Sequence, residues 1–92
     1  MLFEITTSLV PEVVIQRAKE FFQSQVPATG AFVERETPRH LVLRGQGGEE
    51  IVFAAVPVEG GAGVRGSSLL FGQQVKRFFS TLPPAPDARG AA

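Results

Sequence analysis

The sequence predicts a single α+β domain, in which two helices pack on one face of a four-stranded antiparallel sheet. Three observations support this class: an unbroken apolar run at residues 51–58, short alternating segments bounded by glycine or proline, and two segments with apolar residues at helical spacing. Alternation with a period of two is typical of half-buried strands, and a period near 3.6 is typical of amphipathic helices. The predicted element order is β-α-β-β-β-α, and the predicted strand order is 2-3-4-1.

Residues 51–58 are the predicted central strand, because the run Ile-Val-Phe-Ala-Ala-Val-Pro-Val contains no polar residue. Successive side chains of a strand point to opposite faces, so both faces of this strand are apolar. Two helices cover one face of a small sheet. We therefore expect the other face to be open or to bind a partner.

The N-terminal part predicts one strand and one helix. Residues 2–7 alternate apolar and polar side chains, and Pro11 follows at a position typical of the first turn of a helix. We expect this helix to end before Pro27, since the residue that precedes a proline disfavours helical geometry. The apolar stripe of the helix comprises Val10, Val13, Val14, Ala18, Phe21 and Phe22.

The rest of the chain predicts a meander and a second helix. Residues 29–44 are expected to form a hairpin that turns at 37–39, and residues 64–66 a short, weak strand that is not counted among the four of the predicted order. The predicted second helix carries the stripe Phe71, Val75, Phe78, Phe79 and Leu82. Two prolines end this helix, so we expect the domain to span residues 1–83 and residues 84–92 to form a disordered tail rich in proline, alanine and glycine.

A predicted cross-strand pair of Arg44 with Glu49 sets the register of the central strand. On the face under the helices, this register places Leu41, Leu43, Val52, Ala54 and Val56. On the open face, it places an apolar group, Val42, Ile51 and Phe53, with Glu34 and Arg44 at its rim. An apolar patch inside a polar rim is typical of an interaction surface. We therefore predict a small non-enzymatic interaction module that forms a homodimer through these residues.

The composition excludes several classes of function. The chain has 92 residues, no cysteine and a formal net charge of zero. The neutral balance argues against nucleic-acid binding, which usually requires a basic excess. The N-terminal residues lack the pattern of a signal peptide, and no apolar run approaches the roughly 20 residues of a membrane span. The expected location is the cytoplasm.

No motif predicts a catalytic, metal or cofactor site. Residues 61–66 read Gly-Ala-Gly-Val-Arg-Gly, a literal G-x-G-x-x-G, but no strand is predicted after the following helix, as a dinucleotide site requires. Turn glycines are the better interpretation. The single histidine, His40, lacks partners at metal-ligand spacing, and we interpret it as an exposed strand residue.

Three segments resemble the helix-grip families, which include polyketide cyclases and START-like lipid carriers. They are the strand-to-helix opening at residues 3–14, the glycine hairpin at 60–65 and the helix Gln-Val-Lys-Arg-Phe-Phe at 74–79. The resemblance implies a curved antiparallel sheet crossed by the C-terminal helix, in a shortened form. It also implies the alternative function: binding of a small apolar ligand or lipid between sheet and helix, against Phe71, Val75 and Phe78.

Overall fold

A five-stranded antiparallel sheet with two helices on one face forms the fold, in a computed structural model that describes residues 2–25 and 31–85. The elements in chain order are β1 (Leu2–Thr7), α1 (Pro11–Glu20), a π-helical turn (Phe21–Gln25), β2 (Phe32–Thr37), β3 (His40–Arg44), β4 (Glu50–Val58), β5 (Gly61–Ser68) and α2 (Gly72–Phe79). The strands lie in the order β1-β5-β4-β3-β2, and every neighbouring pair is antiparallel. The predicted α+β class and the antiparallel sheet are confirmed.

The predicted strand count and strand order are wrong. Residues 61–68 form a full strand, because Gly60 and Gly61 take positive φ angles of 87° and 155° and return the chain directly onto β4. Pairing of β5 with β4 then begins at Val58 and Gly61. Strands β2 to β5 make a four-stranded meander, and β1 adds a fifth strand beside β5.

Phe53 is the centre of the core between the sheet and the helices. Its ring lies 5.7 Å from the ring of Phe22, 5.3 Å from that of Phe78 and 6.2 Å from that of Phe79. Phe22 extends from the π-helical turn and the other two rings from α2. Both helices therefore pack on the same face of the sheet, with ring separations in the favourable range for aromatic pairs. Val10 and Val13 of the predicted first stripe are exposed instead.

The predicted register between β3 and β4 is wrong by one residue. Arg44 pairs with Glu50, and not with Glu49. The turn between these strands has five residues and is closed by a hydrogen bond from the Gly45 N–H to the Glu49 carbonyl (2.7 Å), with Gly48 at a φ of 91°. A slip of one residue exchanges the two faces of a strand. Ile51 and Phe53 consequently face the helices.

The predicted three-residue turn between β2 and β3 is also wrong. Thr37 pairs with His40, so the turn contains two residues. An irregularity between Val33 and Arg35 shifts the register of β2 and leaves Glu34 outside the regular pairing. This bulge restores the apolar alternation that a two-residue turn alone would disrupt, because Val33 still pairs with Leu43 on the covered face.

The chain after α2 packs against the end of β1. The Thr7 hydroxyl donates a 2.6 Å hydrogen bond to the Pro83 carbonyl, Pro84 bridges to Thr7, and Ala85 is buried. The folded part therefore extends to Ala85, two residues into the predicted tail. The rest of that tail, residues 86–92, lies outside the described residues.

Candidate interaction surface

The open face of the sheet carries an apolar stripe along β4. Every second residue of this strand points away from the helices, and we call these residues the β4 stripe: Val52, Ala54, Val56 and Val58. Val56 keeps 56% of its surface exposed and Val58 is also exposed, whereas the other two are half-buried. The stripe is therefore an uncovered row of small and β-branched side chains.

The structure separates the residues that the sequence grouped as an interface. Val42 lies on the open face as predicted, where it pairs with Val52 and is largely buried. Ile51 and Phe53 lie on the other face and are 0% exposed. Their predicted place on the open face is wrong, because the five-residue turn shifts β4 by one position. The same shift explains why the β4 stripe was predicted to be core.

A depression lies beside the β4 stripe, above Gly63 of β5. Gly63 pairs with Val56 and presents no side chain to the open face. The concavity has a volume of about 500 Å³, and its open-face lining comprises Glu4, Thr6, Ala54, Val56, Gly63 and Arg65. We call it the Gly63 depression.

Packing within the chain does not require a glycine at position 63. A Cβ atom built there lies 3.5 Å from Val58 and 3.6 Å from Val56, which are ordinary contacts. By contrast, a Cβ at Gly66 would lie 2.9 Å from both Phe53 and Val75 on the covered face. A glycine inside a strand costs about 0.5–1 kcal/mol relative to alanine and often marks the close approach of another backbone or a ligand.

One edge of the open face is held by an ion-pair network around Arg44. Its Nη2 lies 2.7 Å from Glu34 and 3.4 Å from Glu50, and its Nη1 donates a 2.8 Å hydrogen bond to the Gly48 carbonyl. The hydrogen bond from Arg44 holds the pKa of the Glu34 carboxyl below its ordinary value. The predicted rim residues Arg44 and Glu34 therefore contact each other and fix the β3–β4 turn.

The opposite edge carries a second ion pair, in which Arg65 Nε of β5 lies 2.7 Å from Glu4 of β1. Between the two edges, His40 of β3 is half-buried and pairs with Ala54. Alternation places Arg35, Arg44, Arg65, Glu4 and Glu50 on this face, and the ion pair with Arg44 places Glu34 at its rim. Three cations balance three anions, a surface unlike the basic ones that bind nucleic acid.

The residues predicted to hold an apolar ligand belong to the packed core. Val75 and Phe78 are buried, and Phe71 is half-buried. The ring of Phe78 lies 5.5 Å from Phe21 and 6.0 Å from Phe79. These contacts, together with the close packing over Gly66, fill the space between the sheet and α2. Ligand binding there stays a prediction without structural support.

Two features of the sequence agree with the observed faces, although neither sets the register. Phe53 is the bulkiest residue of its strand, and the apolar stripes of both helices contain phenylalanines that need large partners. The small residues that alternate with it, Val52, Ala54 and Val56, suit a face without helices. Gly63 itself gives no signal, since a glycine after a glycine turn reads as part of that turn.

Comparison with protein-family models, with curated proteins and with solved structures found no match to this chain. The helix-grip resemblance therefore stays a prediction. In the part of the chain that the structure describes, neither helix has the length and apolar character needed to cross a membrane.

Proposed function

We propose that this chain is a small non-enzymatic interaction module that forms a homodimer through the open face of its sheet. The observation that supports the proposal is the exposed β4 stripe, an apolar row that neither helix covers. An apolar row inside a polar rim is typical of interfaces between proteins. The cytoplasm remains the proposed location.

The charge balance of the open face favours a second copy as the partner. The rim carries equal numbers of cations and anions, and two of the three cations, Arg44 and Arg65, form ion pairs with its three carboxylates. A strongly charged partner would meet like charges on part of this rim, whereas a second copy presents the same balanced set. Burial of the β4 stripe then supplies the free energy of association.

The size of the face suits a weak dimer. Five strands at about 4.8 Å spacing and about 3.4 Å per residue give a face of about 24 Å by 20 Å, or about 500 Å² for each copy. Stable interfaces bury about 800 Å² for each partner. Smaller interfaces are typical of weak, transient complexes, so we expect a dissociation constant in the micromolar range.

The test is the mass in solution of the whole chain, measured by analytical ultracentrifugation from about 1 μM to about 500 μM, a range that brackets this affinity. The wild type should shift from monomer to dimer, and Val56→Glu should remain monomeric because it places a charge in the buried row. The matched control is Val10→Glu, since Val10 is 52% exposed just before α1. It should dimerise like the wild type.

A wild type that stays monomeric across this range contradicts the proposal. So does a Val56→Glu variant whose dissociation constant equals that of the control. Circular dichroism of all three proteins shows whether each variant is folded, so that loss of the dimer is not mistaken for loss of the fold.

A further inference from the structure

We propose that two copies meet about a two-fold axis that runs along the strands between β4 and β5, so that Val56 of each copy enters the Gly63 depression of the other. This inference rests on the proposed homodimer and specifies which surfaces within the open face contact each other. It assigns a role to Gly63 that the packing of the single chain does not explain.

The first support is the position of Val56 next to Gly63. The two residues are direct cross-strand partners. The exposed Val56 side chain and the Gly63 depression therefore lie side by side on the open face. A two-fold axis between them exchanges the two positions. Each copy then contributes one side chain and receives one, which is the arrangement of a closed isologous dimer.

The second support comes from one row of residues that pair with each other across neighbouring strands. The row contains Leu2, Ser67, Val52 and Val42. With the axis between β4 and β5, β1 of one copy lies over β3 of the other. Leu2, which is 59% exposed, then lies over Val42 of the second copy. The arrangement therefore covers the exposed Leu2 side chain, and Val42, which is 8% exposed, contributes a small apolar contact.

The third support is the neighbouring row, which contains Glu4, Arg65, Ala54 and His40. The same axis places the Glu4 carboxylate over His40 of the second copy, where the imidazole N–H can donate a hydrogen bond. A two-fold axis perpendicular to the strands at Ala54 would instead place Glu4 of one copy over Glu4 of the other. It would do the same for Arg65. Like charges that face each other across an interface disfavour association.

The test exchanges valine and glycine between positions 56 and 63. Gly63→Val places a side chain at the point of the depression that Val56 of the second copy would enter, and it should raise the dissociation constant of the dimer at least tenfold. Val56→Gly removes the entering side chain and should also weaken the dimer. The double variant Val56→Gly/Gly63→Val restores one side chain facing one glycine, and its dissociation constant should return to within about threefold of the wild type.

The alternative outcome separates this inference from the proposed function. If the open face were an apolar patch without a fixed arrangement, Gly63→Val would leave the dimer unchanged or strengthen it, since it adds apolar surface. That result overturns the inference and leaves the homodimer standing. A monomeric wild type overturns both. Thermal unfolding of each variant at low concentration verifies the fold, and a Cβ atom at position 63 makes only ordinary contacts.

A distance measurement gives a second readout that does not depend on changes at the contact. The chain contains no cysteine, so a spin label on Arg35→Cys of β2 is unique in each copy. The proposed axis places β2 of the two copies on opposite sides of the dimer, which gives a separation of about 25 Å from strand spacing and sheet separation. An axis across the strands brings the two β2 strands together at about 10–15 Å, and a distance in that range contradicts the inference.

Discussion

Val52 and Phe53 are neighbours in the chain, yet their side chains serve opposite purposes. Phe53 is fully buried against three aromatic rings under the helices. Val52 is half-buried on the open face and forms part of the β4 stripe. In a strand, the difference between core and surface is one position. The apolar character of both residues was predictable from the sequence, but which of them faces the helices was not fixed by that character.

At the residue scale, this assignment predicts unequal costs for two truncations. Phe53→Ala should lower the free energy of unfolding by about 3–5 kcal/mol, because it leaves a cavity among the rings of the core. Val52→Ala removes two methyl groups from a half-buried site and should cost about 1 kcal/mol or less. Urea unfolding at low micromolar protein concentration measures both values. Equal costs, or a larger cost for Val52→Ala, would contradict the assigned faces.

At the scale of elements, the turns decide which residues share a face. The β3–β4 turn has five residues and is fixed by Gly48 and by the Arg44 network. The predicted pair of Arg44 with Glu49 leaves only four residues in this turn. The fifth residue exchanges the two faces of β4 relative to that prediction. Strand β5 was predicted to span only residues 64–66, and its glycines have low strand propensity. It forms a full strand since β4 and β1 pair with it on both sides, which no local pattern reveals.

The Arg44 network predicts a pH dependence of stability. Because the Arg44 hydrogen bond lowers the pKa of Glu34 in the folded state, this contribution is present above the pKa of the unfolded chain and is lost as the pH falls through the lowered pKa. Glu34→Gln should therefore be less stable than the wild type at pH 7, by a small amount, and equal to it in strong acid.

Urea unfolding at both pH values measures this difference, and Glu59→Gln is the matched control. Glu59 is an exposed carboxylate of the β4–β5 turn, in none of the ion pairs found among residues 2–25 and 31–85. Its substitution should have no such pH-dependent effect. A stability difference for Glu34→Gln that persists unchanged in strong acid would show that the ion pair is not its cause.

At the scale of the whole molecule, the sheet has one covered face and one open face. The sequence predicts this asymmetry, since two amphipathic helices accompany a strand that is apolar on both sides. It also predicts the class of the fold and the rim residues Glu34 and Arg44. It does not predict the β4 stripe or the Gly63 depression, because both depend on a register set by long-range pairing and by turn length.

The most direct test of the account is a dilution series of the whole chain from about 1 mM to about 20 μM, followed by methyl NMR, because a dimer with a micromolar dissociation constant dissociates progressively on this dilution. If the open face is the surface of self-association, the methyl signals of Val52 and Val56 shift with concentration. Those of Val14 and Val75, which are buried under the helices, stay constant. Constant signals for Val52 and Val56, or shifts confined to residues of the helices, would contradict the account.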